Sequence, residues 1–587
     1  MWAAPKLLKE NFKGSTPAPF EFDPRNPNDM SRRAIDNLRS IKVSCLEEAF
    51  PRNIKNLELV IYEKNSDLGG TWFESRYPGV ACDVPSHTYQ FTFESNSQWS
   101  SYWAPGAEIQ AYLKSTAAKY DVVKFMKFNH LAETAVWDDH AGKWNVAIKN
   151  LKTGDEFTDT ADILCSAVGA LNKWIWPDIK GLHSFEGKLM HSANYDPNFD
   201  VTGKRIALIG GGSSGIQILP NIQSKAARVD HYMKGKTWIP PMGLGGQGLM
   251  DRGGDPKTPA EDLARFKDPK TYLEYRHQIE SVLHIASDAI YKGTENAKMF
   301  QKMCEDNMRA KLAKKPEIFE SLLPDFAPAC RRLTPGPGYL EALVEDNVEF
   351  VSTNIKEVYE HGIVTEDGRR REVDAIICAT GFAGYKQHFP LIGKDGVNLQ
   401  DLWNEDITEA YLAMAAQKMP NYFTFLGPNG GPGIGSTALF LEYQGWYMVK
   451  CIQKIQREWI KSMVVKKSAV KAFGKYIDRF FEPTVFNSTC RSWWRHHGIG
   501  RLLAVWPGSA LHGMYAWENP RWEDYDYELK DELEGNILSW LGNGYITSQI
   551  EGLKTTGYLD EAYMPVENPL EIKATNTVVK NYQLEES

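Results

Sequence analysis

Three glycines in the run GGGSSG, namely Gly210, Gly212 and Gly215, stand in the register G-x-G-x-x-G. They follow the apolar run RIALI and open the amphipathic IQILPNI, so the local pattern is strand, glycine turn, helix. Chemistry at such a turn is anion binding. Gly210 makes the tight turn, Gly212 lets the backbone approach a pyrophosphate, and Gly215 lets helix and strand pack closely. Ser213 and Ser214 then lie at the helix N-terminus, where free N–H groups and the dipole favour the anion. The next strand ends in HYMKGKTW rather than in an acid. An acid there would repel a 2′-phosphate, whereas Lys234 or Lys236 would attract one, which points to NADPH over NADH. Either lysine taken alone is also what an ordinary solvated surface carries.

A second constellation begins at LELVIYEK, an apolar run that ends at Glu63, where an acid holds a ribose through its hydroxyls. It continues into GGTWFESRYPGVACDVPSHTYQFTF, with Gly69, Gly70, Gly79, Pro78 and Pro85. Such a composition specifies a contorted loop rather than plain core. Trp72, Tyr77 and Tyr89 offer flat surfaces there, and Arg76 and Asp83 offer charge.

These residues need elements to hold them. Two strand–turn–helix units more than a hundred residues apart predict an α/β chain with two Rossmann-type dinucleotide-binding domains, the second inserted into the first. GAEIQAYLKSTAAKY reads as a helix, and residues 258–316 as a charged helical stretch. DNVEFVSTNIKEVYEHGIVTEDGRRREVDAIICATGF reads as strands ending in a glycine turn. With 587 residues the chain has room for two or more domains. A net charge of −8 and the lack of a long basic run argue against a nucleic-acid binder. No apolar run reaches the ~20 residues of a membrane helix. The eight cysteines are scattered, without C-x-x-C or metal spacing, and read as free thiols of a reducing cytoplasm, with no metal site.

GGTW…RYPG..CD.PS..Y, the Gly210 loop and FEGKLMHSANYD together resemble class B flavin monooxygenases, specifically the Baeyer–Villiger monooxygenases. That family's fingerprint is F-x-G-x-x-x-H-x-x-x-W-(P/D). Phe185, Gly187, His191 and Asp196 match it, while Tyr195 stands in place of the Trp. ICATGF resembles the family's A-T-G hinge at Thr380 and Gly381, and FLGPNGGPGIGS its flavin-domain return. The likeness spans about residues 57–545 and looks closest to long fungal forms that modify polyketides and terpenoids. It implies FAD and NADPH as cofactors, with molecular oxygen and a small-molecule ketone as substrates. It implies FAD contacts at Glu63, Gly70, Thr71, Trp72, Asp83 and Tyr89. Arg332 matches the arginine that stabilises the anionic, oxygen-bearing flavin, and Asp83 the acid that supports it. Arg331 matches a cation near the NADPH phosphate, and His191 a residue tied to domain motion. From the residues alone, Arg331 and Arg332 are an ordinary surface pair before a Pro-Gly turn. The implied organisation is an extension (1–40), an FAD-type domain in two parts (41–184 and 375–545), an NADP-binding domain with a helical insertion (185–374), and a tail (546–587).

One part of the family pattern is missing. IKV at Ile41 begins the first strand, yet no glycine stands between it and Leu57, where the first Gly-rich loop belongs. Side chains would occupy the place of the flavin diphosphate, and Glu47 and Glu48 would face it with the wrong charge. Either a faulty exon junction has removed the loop at Ser44–Cys45 from an intact enzyme, or flavin binding has been lost. Intact residue types downstream favour the first. The leading function is oxygen insertion beside a ketone. N- or S-oxygenation is disfavoured by the long fingerprint, and a flavin-free isomerase or binding protein is the alternative.

Overall fold

The structure, a computed structural model, describes residues 41–44, 53–241, 256–285, 289–384, 388–405, 408–530, 535–556 and 559. Expectations for the N-terminal extension, for the turn at Cys45–Arg52 and for the tail beyond residue 559 lie outside the described residues. The chain divides into two compact units. The smaller comprises residues 1–39, 457–459 and 529–587; within it Arg457 lies over the Trp540 ring at 5.8 Å. The larger, residues 40–456 and 460–528, holds both dinucleotide-type sheets.

The first sheet has the strand order Tyr422–Thr424, Ile163–Ser166, Ile41–Ser44, Leu57–Glu63, Met126–Phe128, every pair parallel. Ile41 pairs with Leu57 in parallel, and residues 45–56 connect the two strands in sequence. Those twelve residues are the minimum that a parallel crossover needs. The strand expected at Ile41 is therefore present at the centre of its sheet.

The second sheet runs Val348–Val351, Arg228–Tyr232, Arg205–Ile209, Ala375–Cys378, Lys188–His191, again all parallel. Gly210 and Glu63 thus end strands of two different sheets. Arg205–Ile209 is central, with later strands on both sides. The turn after it lies at the point where strand order reverses, the usual place for a ligand. Strand Ile163–Ser166 is buried throughout, as are Ala375–Cys378 and Ile206–Ile209, because helices and loops cover parallel sheets on both faces. Helix Gly106–Lys119 forms as expected, and the 258–316 stretch is helical at Ala260–Arg265, Pro269–Ile285 and Glu295–Lys311.

Three expectations need correction. Ala375–Cys378 belongs to the second sheet, so the boundary expected at residue 374 falls after Cys378. Residues 529–545 group with the smaller unit rather than with the FAD-type part. The cysteines are not all free thiols: Cys330 and Cys490, 160 residues apart, form a disulfide. Cys82, Cys165, Cys304, Cys378 and Cys451 are free and buried. No helix among the described residues is long and apolar enough to cross a membrane, and no described His, Cys, Asp or Glu cluster suits a metal ion.

Candidate active site

The glycine turn has the geometry that the spacing predicts. Gly210 has φ 118°, and a Cβ there would lie 2.3 Å from the Ala379 carbonyl oxygen. A Cβ on Gly215 would meet the Gly210 carbonyl oxygen at 2.0 Å, so helix Ser213–Ile222 sits against the strand only because this position is bare. Gly212 differs: its φ of −85° suits any residue, and nothing lies within 4 Å of its Cβ position. That open space above a helix N-terminus fits a pyrophosphate. Ser213 Oγ shares a hydrogen bond of 2.6 Å with Thr334 Oγ1, two residues beyond Arg332.

The lysines after the next strand are both exposed. Arg331 donates a hydrogen bond to the Lys236 carbonyl oxygen and lies over the Phe326 ring at 5.4 Å. Burial holds its pKa below the usual arginine value. Arg331 is thereby brought to the segment that carries Lys234 and Lys236.

Arg332 and Asp83 meet across 249 residues. Arg332 Nε donates to Asp83 Oδ2 at 2.7 Å and Nη2 donates to Oδ1, a forked pair with side chains 26% and 21% exposed. Burial works against the charge on Arg332, but the adjacent Asp83 carboxylate outweighs it and holds the pKa above the ordinary value. The cation is permanent. Asp83 is aimed there by the loop before it. Tyr77 donates to Gln217 Oε1 at 2.8 Å, and Gln217 Nε2 donates to the Ala81 carbonyl oxygen at 3.0 Å. Gly79, at φ 81°, leaves no room for a Cβ, which would lie 2.1 Å from Asn221 Nδ2.

Trp72 Nε1 donates to the Tyr89 hydroxyl at 3.2 Å, the two rings meeting edge-on at 5.7 Å. Burial pushes the Tyr89 pKa up to about 12, and the phenol keeps its proton. Gly70, at φ 51°, precedes the short helix Thr71–Glu74 that carries Trp72. Glu63 ends its strand with Oε1 accepting the Asn65 N–H at 2.7 Å, and burial raises its pKa. Its second oxygen suits a ribose hydroxyl.

The fingerprint residues divide. Phe185 covers Gly187, where a Cβ would meet the Phe185 ring at 2.5 Å and the Asp374 carbonyl oxygen at 2.7 Å. His191 is 1% exposed, stacked on Trp174 at 4.8 Å and edge-on to Trp176. Its Nδ1 accepts the Ala193 N–H at 3.1 Å, which places the proton of the neutral ring on Nε2. Nε2 makes no bond of full hydrogen-bond geometry, and the polar group it faces is the backbone of Gly381. Burial lowers the His191 pKa to about 4. Thr380 is exposed, and Gly381 has φ 90°. Ala383 N–H donates to the Lys173 carbonyl oxygen, and Trp174 bridges Phe382, so the two connections between the sheets run side by side. Asp196 stands apart, paired with Lys188 at 2.6 Å on the surface. Sequence reading missed Trp174 and Trp176, although WIWP offered an aromatic pair in alternation, and it missed Gln217 and Thr334, which nothing marked.

The family model described as flavin-binding monooxygenase-like matches residues 33–243. The FAD-binding monooxygenase tazF of Aspergillus terreus is 36% identical over 500 residues, covering 84% of this chain and 88% of that protein. A Baeyer-Villiger monooxygenase of Pseudomonas aeruginosa is 32% identical over 455 residues, 77% and 83% of the two chains. The closed crystal structure of cyclohexanone monooxygenase superimposes with a TM-score of 0.72 at 20% identity, over 84% of this chain and 99% of that one. With a two-sheet fold, a glycine cradle and relatives this similar over most of its length, the chain belongs to the flavin-binding monooxygenase-like family, as an FAD- and NADPH-dependent monooxygenase.

Proposed function

We propose that this chain inserts one oxygen atom of O₂ beside the carbonyl of a small-molecule ketone, giving an ester or lactone, in the biosynthesis of a fungal polyketide or terpenoid. The forked Arg332–Asp83 pair carries the reading. Oxygen insertion builds negative charge next to a carbonyl, and a guanidinium held cationic and oriented stabilises that charge without reorganisation.

The residues fit the coenzyme. The bare Gly212 position admits the pyrophosphate of NADPH, Lys234 and Arg331 serve its 2′-phosphate, and Glu63 with the Gly70–Trp72 loop serves the nucleotide part of FAD. When bound, NADPH supplies hydride and FAD supplies the oxygen-transferring ring. The chain's own groups orient and protect. Asp83 fixes the plane of Arg332, Trp72 holds the Tyr89 hydroxyl, and His191 stays neutral beside the hinge.

The test is mass spectrometry of products from ketones incubated with FAD, NADPH and ¹⁸O₂. Gain of a single labelled oxygen, lost in Arg332→Ala while NADPH consumption persists, is expected. Unlabelled product, or undiminished product from Arg332→Ala, would refute the role. The glycine-free run Cys45–Arg52 favours a second reading, a flavin-free protein acting as an isomerase or binder. A colourless protein that still binds ketones after incubation with FAD would support that one instead.

A further inference from the structure

We propose that the Cys330–Cys490 disulfide is a positioning tether for the two arginines that follow it, and that Cys330 and Cys490 are positioning residues for coenzyme selection. This rests on the reading that Arg331 serves the 2′-phosphate of NADPH.

Arg331 and Arg332 sit in the irregular stretch between helices Pro316–Leu322 and Tyr339–Leu343. Main-chain bonds hold that stretch loosely. Its nearest turn is closed by the Cys330 N–H on the Ala327 carbonyl oxygen at 3.3 Å. Ala329 has φ 63°, a conformation that L residues adopt only under constraint. What fixes the stretch is a set of long-range attachments: Trp238 Nε1 on the Phe326 carbonyl oxygen, Arg331 on Lys236, Arg332 on Asp83, and Thr334 on Ser213. The disulfide is the covalent member of this set, directly beside the strained residue and the first arginine.

Its other end is firm ground. Arg495, itself buried, donates to the carbonyl oxygens of Phe486, Ser488 and Gly500, closing the segment around Cys490 into a compact knot. Phe486, Trp494, Leu502 and Val505 pack together beneath it. Cys330 is 0% exposed and Cys490 is 2% exposed, so dissolved thiols do not reach the bond in the folded protein. The geometry describes a permanent joint rather than a switch. In the folded protein the bond joins the arginine stretch covalently to the Cys490 segment, 160 residues further along the chain.

The full chain is purified without reductant, alkylated with iodoacetamide in denaturant and digested. A crosslinked peptide pair is expected, and two alkylated cysteines would overturn the proposal. Coenzyme dissociation constants are then measured for NADPH and NADH on the parent protein, on Cys490→Ser and on Cys330→Ser. If either variant fails to fold, the parent after partial unfolding and treatment with dithiothreitol takes its place. In that step two electrons and two protons pass to the cystine, leaving two thiols and the cyclic disulfide of the reagent. The tether predicts that NADPH weakens about tenfold, the loss of roughly one phosphate contact, while NADH is unchanged. Equal weakening of both coenzymes would make the bond a general staple and overturn the proposal, as would no change in a folded variant. A parent that does not prefer NADPH would instead overturn the phosphate reading beneath it.

Discussion

Replacing Gly212 and Gly215 separately by alanine should divide coenzyme binding from folding. At Gly215 the added Cβ would lie 2.0 Å from the Gly210 carbonyl oxygen and 3.0 Å from its carbon, both backbone. Strand and helix must move apart, and overpacking of this kind costs about 1–3 kcal/mol. At Gly212 the Cβ meets nothing within 4 Å and φ is −85°, so the fold accepts it. Alanine is a poorer N-cap than glycine, and the stability change should stay within about 1 kcal/mol. The same Cβ stands where a pyrophosphate must approach. Losing one charge-assisted backbone contact costs about 1.5–3 kcal/mol, which raises the dissociation constant roughly 10- to 150-fold. Titration of NADPH fluorescence and urea unfolding followed by tryptophan emission read the two effects independently. Gly212→Ala should bind poorly and unfold almost normally, whereas Gly215→Ala should fail in both. If Gly212→Ala binds NADPH as the parent does, the coenzyme does not sit on this helix and the assignment of the second sheet is wrong.

Lys234→Ala or Arg331→Ala should raise the Michaelis constant for NADPH more than that for NADH, by roughly 10- to 150-fold for a lost charge-assisted contact; equal effects would show that neither cation reads the 2′-phosphate. His191 has a folded pKa of about 4 against an ordinary 6.5, so its contribution is complete above pH 6.5 and is lost as the pH falls from there toward 4. His191→Gln should therefore show a shallower loss of unfolding free energy over that range, by up to about 3 kcal/mol, and an equal fall in the urea unfolding free energy of parent and variant between pH 6.5 and 4.5 would contradict its buried, neutral state. Inserting a G-x-G-x-x-G turn between Val43 and Leu46 should tighten FAD binding and raise the flavin content of the purified protein. Stoichiometric FAD in the chain as it stands would show instead that another segment cradles the diphosphate.

Legibility in the sequence followed the range of the physics. Gly210, Gly212 and Gly215 could be assigned because their spacing within one strand–turn–helix run marks them locally, although the Ala379 carbonyl that crowds Gly210 lies far along the chain. Strand Ala375–Cys378 was visible as a strand, but four buried residues do not say which of two parallel sheets they join. Glu63 and the Gly70–Trp72 loop carried a local signature, a strand ending in an acid followed by glycines. Arg332 and Asp83 did not, since the pair spans 249 residues, and only the register of the related family brought them together. The disulfide escaped for the same reason: scattered cysteines carry no mark of partnership, and the 160 residues between Cys330 and Cys490 hide their proximity.

The helix Ser213–Ile222 has a consequence for how the two halves of the chemistry communicate. Its first turn borders the coenzyme cradle and grips Thr334, while Gln217 and Asn221 further along bear on the Tyr77–Ala81 loop that aims Asp83 at Arg332. The proposed coenzyme site and the Arg332–Asp83 pair therefore share one helix. Linkage is reciprocal: whatever factor NADPH exerts on the alignment of Arg332, a ligand held by Arg332 must exert on the affinity for NADPH. An oxygen-transfer site that tightens its hold on the coenzyme when the ketone arrives would keep the nicotinamide in place through the second half of the cycle, with no separate latch.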